Sequence, residues 1–207
     1  MALNNYANLK AAVERFSGRK DGGLSNVIDD LINATEQRLD KELRIRGNEQ
    51  RAERTLDTST RFSSLPDSFL EMRRITIIQS GEYYNLTYNA PNIMPVNSTA
   101  GLPKYYTITS QIEFDRVPAS AYACRLAYYV ELTPLTSNNT TNDVLTQYPD
   151  LYLFGCLSNL YLMHDKSYED YQVYESKFID EIARANRQEQ KARRGSNAQP
   201  RVRTSTP

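Results

Sequence analysis

The sequence predicts an α+β protein: a helical bundle formed by the N- and C-terminal helices, with an inserted antiparallel β-sheet domain between them. Residues 151–163 are apolar or aromatic except at Gly155, Ser158 and Asn159, and a helix that is apolar all round must be buried. Apolar residues at helical spacing occur far upstream and directly downstream, whereas the middle of the chain alternates. One bundle made from both ends is the simplest way to bury these helical surfaces.

Two helices are predicted before residue 48. An apolar stripe from Tyr6 to Phe16 indicates a first helix, which Gly18 ends. Ser25 is a suitable N-cap for the second helix, because the acidic pair four residues later would then lie near the positive end of the helix dipole. Gly47 is expected to stop this helix. Its apolar stripe consists of Ile28, Leu31, Ile32, Leu39 and Leu43.

Strands are predicted from residue 51 onward, where the apolar period changes from helical to alternating. The clearest signal is a hairpin of residues 104–108 with 111–115, followed by a strand at 126–130. Residues 90–103 contain three prolines and a glycine, so they are expected to form a loop. Strict alternation indicates one wet face, which predicts an antiparallel sheet covered on one side only.

The two C-terminal helices are predicted as antiparallel neighbours. The apolar core helix starts near Pro149, and His164 and the two residues after it are read as a tight reversal. The following helix carries a stripe of Tyr168, Tyr171, Tyr174, Phe178 and Ile182. Beyond Arg194 the composition is polar, so this segment cannot order itself and needs a partner to do so.

These signals divide the chain into five segments. They are the N-terminal helices at 1–48, the β insertion at 49–132, a loop at 133–148, the C-terminal helices at 149–192 and an extended tail at 193–207.

Composition points to an ordinary soluble protein of 207 residues with formal charge zero, so no global field drives it onto nucleic acid or membranes. Charge is uneven, however, because residues 184–207 hold seven basic side chains and one acidic one. Cys124 and Cys156 make neither a disulfide framework nor a metal motif. No signal peptide is recognisable at the N-terminus, which favours synthesis in a reducing cytoplasm.

No catalytic equipment is recognisable in the sequence. The single histidine, His164, is followed by Asp165, but neighbours on a turn point apart and do not make a triad. Phosphate loops, zinc spacings and nucleophile elbows do not occur. We therefore expect no enzyme, no catalytic residues, no cofactor and no bound metal.

Two features suggest protein interfaces. Among fifteen tyrosines, adjacent pairs such as Tyr105/Tyr106 and Tyr128/Tyr129 lie on predicted strands, where one member of each pair must face outward. Tyr105 and Tyr129 are the candidate interface aromatics, since exposed tyrosine offers rigid contact area. The alternative is that they only cover the wet face of the sheet. The second feature is the C-terminal segment, whose candidate partner-binding residues are Arg193, Arg194, Arg201, Val202 and Arg203.

Four motifs in order resemble the head-to-tail adaptor (connector) proteins of tailed bacteriophages. The resemblance runs from residue 5 to about 190, and the first helix departs from it because Phe16 and the next two residues stand where relatives often carry a tryptophan. Those motifs are the helical pattern at 28–46, LPDSFLEMR at 65–73, GLPKYYT at 101–107 and PDLYLFG at 149–155.

The resemblance implies a structural virion protein in the neck between capsid and tail, assembled in the host cytoplasm and without membrane contact. It implies a dodecameric ring of this chain below the portal protein, contact with tail proteins (nozzle or fibre), and a channel through which genomic DNA passes non-specifically. The C-terminal segment could dock onto the portal or a neighbouring subunit by helix-in-groove binding or by strand addition, which are common modes of peptide recognition. A second hypothesis is a nucleic-acid-binding module that uses the same basic segment against phosphates.

Overall fold

The computed structural model describes residues 3–19, 22–165 and 167–194. The chain divides into two compact units, a helical unit of Met1–Gly47 with Leu132–Pro207 and a β unit of Asn48–Glu131. Helices come from both ends of the chain and strands from its middle, which confirms the predicted α+β fold class. The predicted tail beyond Arg194 lies outside the described residues.

Among the described residues, five α-helices and one π-helical turn build the helical unit around a single apolar core. Asn5 caps the first helix by accepting from the Asn8 amide at 2.8 Å, and Gly18 ends it with a left-handed φ of 70°. The elements are α1 (Tyr6–Ser17), α2 (Gly22–Glu42), α3 (Asp143–Gln147), α4 (Pro149–Leu160), the π turn (Tyr161–Asp165) and α5 (Tyr168–Arg194).

The prediction that Ser25 caps α2 is wrong, because the helix already begins at Gly22. Leu24 is buried and lies four residues before Ile28, so the apolar stripe continues past the expected cap. As a result, the acidic pair at Asp29 and Asp30 is not in the first turn of the helix.

The segment 133–148, predicted as a loop, contains the short helix α3. The Asn142 side chain accepts from the Leu145 amide at 2.9 Å and caps it, and Val144 and Leu145 enter the core. The single turn that these two apolar residues form is too short to show a helical period in the sequence.

Contacts between helices define their directions. Moving forward along α4, from Tyr148 just before it to Ser158, the partners on α5 move backward from Glu189 to Glu175, so α4 and α5 are antiparallel, as predicted. Moving forward from Arg38 in α2 to Arg46 just beyond it, the partners move forward from Glu175 to Glu189. Helices α2 and α5 are therefore parallel.

Gly155 is the point of closest approach between α4 and its neighbours. A Cβ built on this residue would meet the Thr35 side chain of α2 at overlapping distance and Cε2 of Phe178 on α5 at 2.9 Å. The threonine is fully buried and donates its hydroxyl to the Leu31 carbonyl at 2.8 Å, so it has little freedom to move.

Gly155→Ala is therefore expected to destabilise the helical unit by about 1–2 kcal/mol, because overpacking costs more than the roughly 1 kcal/mol of gained helix propensity. Urea unfolding followed by helical circular dichroism measures the change. Adding Thr35→Ser, which deletes the overlapping methyl group and keeps the hydroxyl, should recover at least half of the loss. A more stable Gly155→Ala variant would show that the helices separate freely at this position.

The predicted core helix loses its burial at its C-terminal end. Residues 151–160 are buried except for Phe154, which is half-buried, whereas Leu162 and Met163 in the π turn are exposed. The wider π turn rotates these side chains off the buried face. Tyr168 at the start of α5 is exposed as well, so the predicted stripe is buried only from Phe178 onward.

Two four-stranded sheets, rather than one, form the β unit. The first has the order β1-β8-β3-β4 and the second β2-β7-β6-β5, with every pairing antiparallel except β5 with β6. The strands are β1 (Glu49–Thr55), β2 (Phe62–Ser63), β3 (Phe69–Gln79), β4 (Glu82–Asn85), β5 (Thr87–Tyr88), β6 (Tyr105–Ile108), β7 (Ile112–Phe114) and β8 (Ala123–Val130).

The sequence predicts an antiparallel sheet covered on one side, and the structure has two sheets whose apolar faces share one core. Ile75 and Leu126 of the first sheet lie in the same buried cluster as Ile112 and Phe114 of the second. Each sheet alone shows one apolar and one polar face, and alternation cannot tell whether the apolar face meets helices or another sheet.

Candidate functional site

The described residues hold no group of three or more His, Cys, Asp and Glu side chains that could bind a metal ion. His164 is exposed, and its neighbour Asp165 pairs with Arg19 instead. Burial raises the pKa of the Cys124 thiol to about 11 and of the Cys156 thiol to about 12, so both are protonated and unreactive near neutral pH.

A search of the described helices finds none with the length and apolar character needed to cross a membrane.

Tyr105 takes the position expected of an interface aromatic. It is 36% exposed, while its neighbour Tyr106 is 4% exposed and packs in the core of the β unit. The alternation of a strand separates the two, as the sequence indicates.

The expectation that Tyr129 is exposed is wrong, since its side chain is only 4% exposed. It lies on β8, the strand between β1 and β3, and is flanked in register by Glu49 and Glu71. A central strand has neighbours on both sides, so a side chain on its outer face is still covered laterally. The expected exposure of one member of each tyrosine pair therefore fails for Tyr128 and Tyr129.

Three further exposed tyrosines were not singled out by the sequence, namely Tyr83, Tyr84 and Tyr88. They lie on β4 and β5, which are edge strands of the two sheets. The Tyr84 hydroxyl donates to Glu82, and the Arg125 guanidinium lies 5.8 Å from the Tyr83 ring centre. Two sequence signals could have found Tyr83 and Tyr84: they form an adjacent pair like Tyr105 and Tyr106, and polar residues flank them in Glu82–Asn85, as is typical of a short edge strand.

An aromatic groove of about 540 Å³ opens beside one of these tyrosines. Tyr88 and Tyr106 both line it, and they contact each other edge to face from adjacent strands, with ring centres 5.6 Å apart. Its remaining lining comes from the start of β3 and from the end of β6, and consists of Phe69, Leu70, Glu71, Met72, Arg73 and Ile108. Aromatic lining with a few polar groups is typical of protein-binding clefts.

The basic C-terminal residues are only partly described. Arg193 lies in the last turn of α5 and donates to the Arg44 carbonyl at 3.4 Å. The helix runs to Arg194, so the boundary predicted at residue 193 is too early. The Arg194 side chain, Arg201, Val202 and Arg203 lie outside the described residues.

Glu189 fastens this end of α5 to the helical unit. Its carboxylate accepts from the Arg46 amide at 3.1 Å, from the Arg46 Nε at 2.9 Å and from the Tyr148 hydroxyl at 3.1 Å. Burial opposes ionisation, but these hydrogen bonds prevail and lower the pKa of Glu189. The buried carboxylate therefore holds the C-terminal part of α5 against Arg46 and Tyr148, a contact between distant residues that composition alone cannot indicate.

The comparison with protein families shows the family to which the chain belongs. The model of the SU10 adaptor protein matches residues 4–204, which is nearly its whole length. No curated protein matches the sequence. The match covers both the helical ends and the β insertion. The chain therefore belongs to the SU10 adaptor protein family, which consists of structural adaptors of phage particles.

Proposed function

We propose that this protein is the head-to-tail adaptor of a tailed phage, forming a dodecameric ring below the portal that connects the capsid to the tail and continues the DNA channel. The observation that carries the proposal is the family match over residues 4–204. In this proposal the portal and the tail nozzle or fibre proteins are the partners, and the virion neck is the location.

The surfaces of the β unit suit such a role. Exposed Tyr105, Tyr83 and Tyr88 and the aromatic groove supply rigid contact area without catalytic groups. Measuring the particle mass of the 23.7 kDa chain with and without portal rings tests the assembly. Twelve copies bound per portal is the expected result, and a bound monomer would contradict the ring.

The C-terminal segment is proposed to dock onto the portal. Because α5 extends to Arg194 and Arg193 contacts the Arg44 carbonyl, a chain cut after Arg194 keeps these described contacts. We expect this truncation to retain its helical circular dichroism and thermal unfolding, yet to bind portal rings at least tenfold more weakly in sedimentation.

A full-length Arg201→Gln/Arg203→Gln variant is the matched control, since it separates the charge of the segment from its length. Portal binding by the truncated chain at full-length affinity would overturn the assignment of the segment.

A nucleic-acid-binding function is the second candidate, favoured by the seven basic residues between positions 184 and 207. Neutralising several phosphates gives a steep dependence of affinity on salt. A mobility shift of duplex DNA that is present at about 50 mM salt and lost at about 200 mM salt supports this candidate. The absence of a shift at low salt removes it.

A further inference from the structure

Three neighbouring strands of the first sheet place one arginine on each side of an alanine. In register, Ala127 of β8 lies opposite Arg51 of β1 and opposite Arg74 of β3. Residues directly opposite on neighbouring strands project to the same face. With strands about 4.8 Å apart, the two arginine backbones are roughly 10 Å apart, and the short side chain of Ala127, itself 7% exposed, lies between them.

A β-bulge brings a third arginine to the same place. The register of β3 with β8 shifts between Met72 and Arg74, so Arg73 is the extra residue of the bulge, which re-aims side chains. Arg73 is held by Glu49 through two contacts of 2.6 and 2.7 Å. Together with Ala127, these four charged residues line a cleft of about 170 Å³, which we name the arginine cleft.

Within the part of the chain that the structure describes, the side chains of Arg51 and Arg74 are exposed and form no hydrogen bond or ion pair. The nearby carboxylates of Glu49 and Glu53 pair with Arg73 and Arg125 instead, each at 2.6 Å. Two unpaired guanidinium groups around a small cleft can each present their donor fork to one anion placed over Ala127.

We propose that the arginine cleft binds the carboxylate of an acidic segment of a partner protein. The size of the cleft suits one anionic group rather than a chain of them. Glu49, Glu53 and Glu71 lie around it on the same strands, and their charges would repel the successive phosphates of a nucleic acid. A single acidic side chain brings one charge to the two guanidinium groups and so meets less of this repulsion than a run of phosphates does.

The choice of a protein as occupant rests on the proposed adaptor function, but binding is testable on the isolated chain without portal or tail. The probe is a peptide acetylated at its N-terminus and amidated at its C-terminus, Thr-Ser-Thr-Glu-Thr-Ser, in which the glutamate supplies the only carboxylate; it is titrated into protein with ¹⁵N-labelled arginine. The Nε–Hε signals of Arg51 and Arg74 are expected to shift and saturate. Arg51→Gln/Arg74→Gln should weaken binding at least tenfold, and Arg51→Lys, which keeps the charge but loses the fork, should weaken it less.

The control variant Lys104→Gln/Arg187→Gln removes the same charge from two other exposed positions and should bind as the wild type does. The proposal fails if the peptide with glutamine in place of glutamate binds equally well, or if the control variant loses as much affinity as the cleft variant. It also fails if a 12-base-pair DNA duplex binds the cleft more tightly than the peptide. Failure of the ring or of portal docking would leave these results unchanged, so the two proposals are separable.

Discussion

Replacing Phe178 by alanine is expected to lower the free energy of unfolding of the helical unit by about 3–5 kcal/mol, the usual range for a fully buried phenylalanine. The ring is 0% exposed, lies against Gly155 of α4 and carries the Arg38 guanidinium 4.5 Å from its centre. Truncation therefore leaves a cavity between α4 and α5 and removes a cation–π contact. Urea unfolding monitored by helical circular dichroism measures the loss.

The neighbouring Ile179→Ala is the matched control. Ile179 is 50% exposed and lies about 100° around the same helix from Phe178, so its truncation should change stability by less than about 0.5 kcal/mol. A loss below 1 kcal/mol for Phe178→Ala would show that the bundle packs around another residue.

Glu36→Leu is expected to destabilise the helical unit by roughly 2–5 kcal/mol, because two buried donors lose their acceptor. Oε1 of Glu36 accepts from the Leu135 amide and from the Tyr152 hydroxyl, both at 2.9 Å. The Tyr152 hydroxyl is itself held by Asn142 Nδ2 at 2.6 Å. One carboxylate oxygen thus ties α2, α4 and the segment after the β unit together. Thermal and urea unfolding measure the effect.

Glu36→Gln is the sharper control, since an amide oxygen can accept both bonds at the position of Oε1. We expect it to lose less than half of what Glu36→Leu loses. Equal losses for both variants would mean that the charge, and not the two hydrogen bonds, is what the fold requires.

The contribution of Glu36 to the stability of the helical unit is expected to decrease as the pH rises. Burial raises the pKa of its carboxyl above the ordinary value, against the opposing effect of the bonds from Leu135 and Tyr152. The folded state therefore binds the proton more tightly than the unfolded chain does. Relative to Glu36→Gln, the wild type gains stability below the unfolded pKa of about 4.3, and this gain is lost as the pH rises through the folded pKa. A gain that instead grows with pH would contradict the raised pKa.

Part of the candidate surface follows from the sequence, and part does not. Tyr105 is exposed and Tyr106 is buried, as strand alternation predicts, because successive side chains of a regular strand point to opposite faces of the sheet. The burial of Tyr129 could not be predicted from the sequence, because it depends on which strands lie beside β8 in the sheet. The arginine cleft is also out of reach of the sequence, since Arg73 and Arg74 read as alternating residues until a bulge in β3 changes their directions.

The sequence by itself determined that both ends of the chain are helical except for the short α3, that the middle is extended, and that the two ends share a core. These properties depend on local periodicity and on the need to bury a helix that is apolar all round. Only the tertiary structure decided that the strands form two sheets, that α2 begins at Gly22, and that Arg51 and Arg74 flank one alanine. Each of these depends on which distant residues become neighbours, and pairing across strands and helices leaves no period in the sequence.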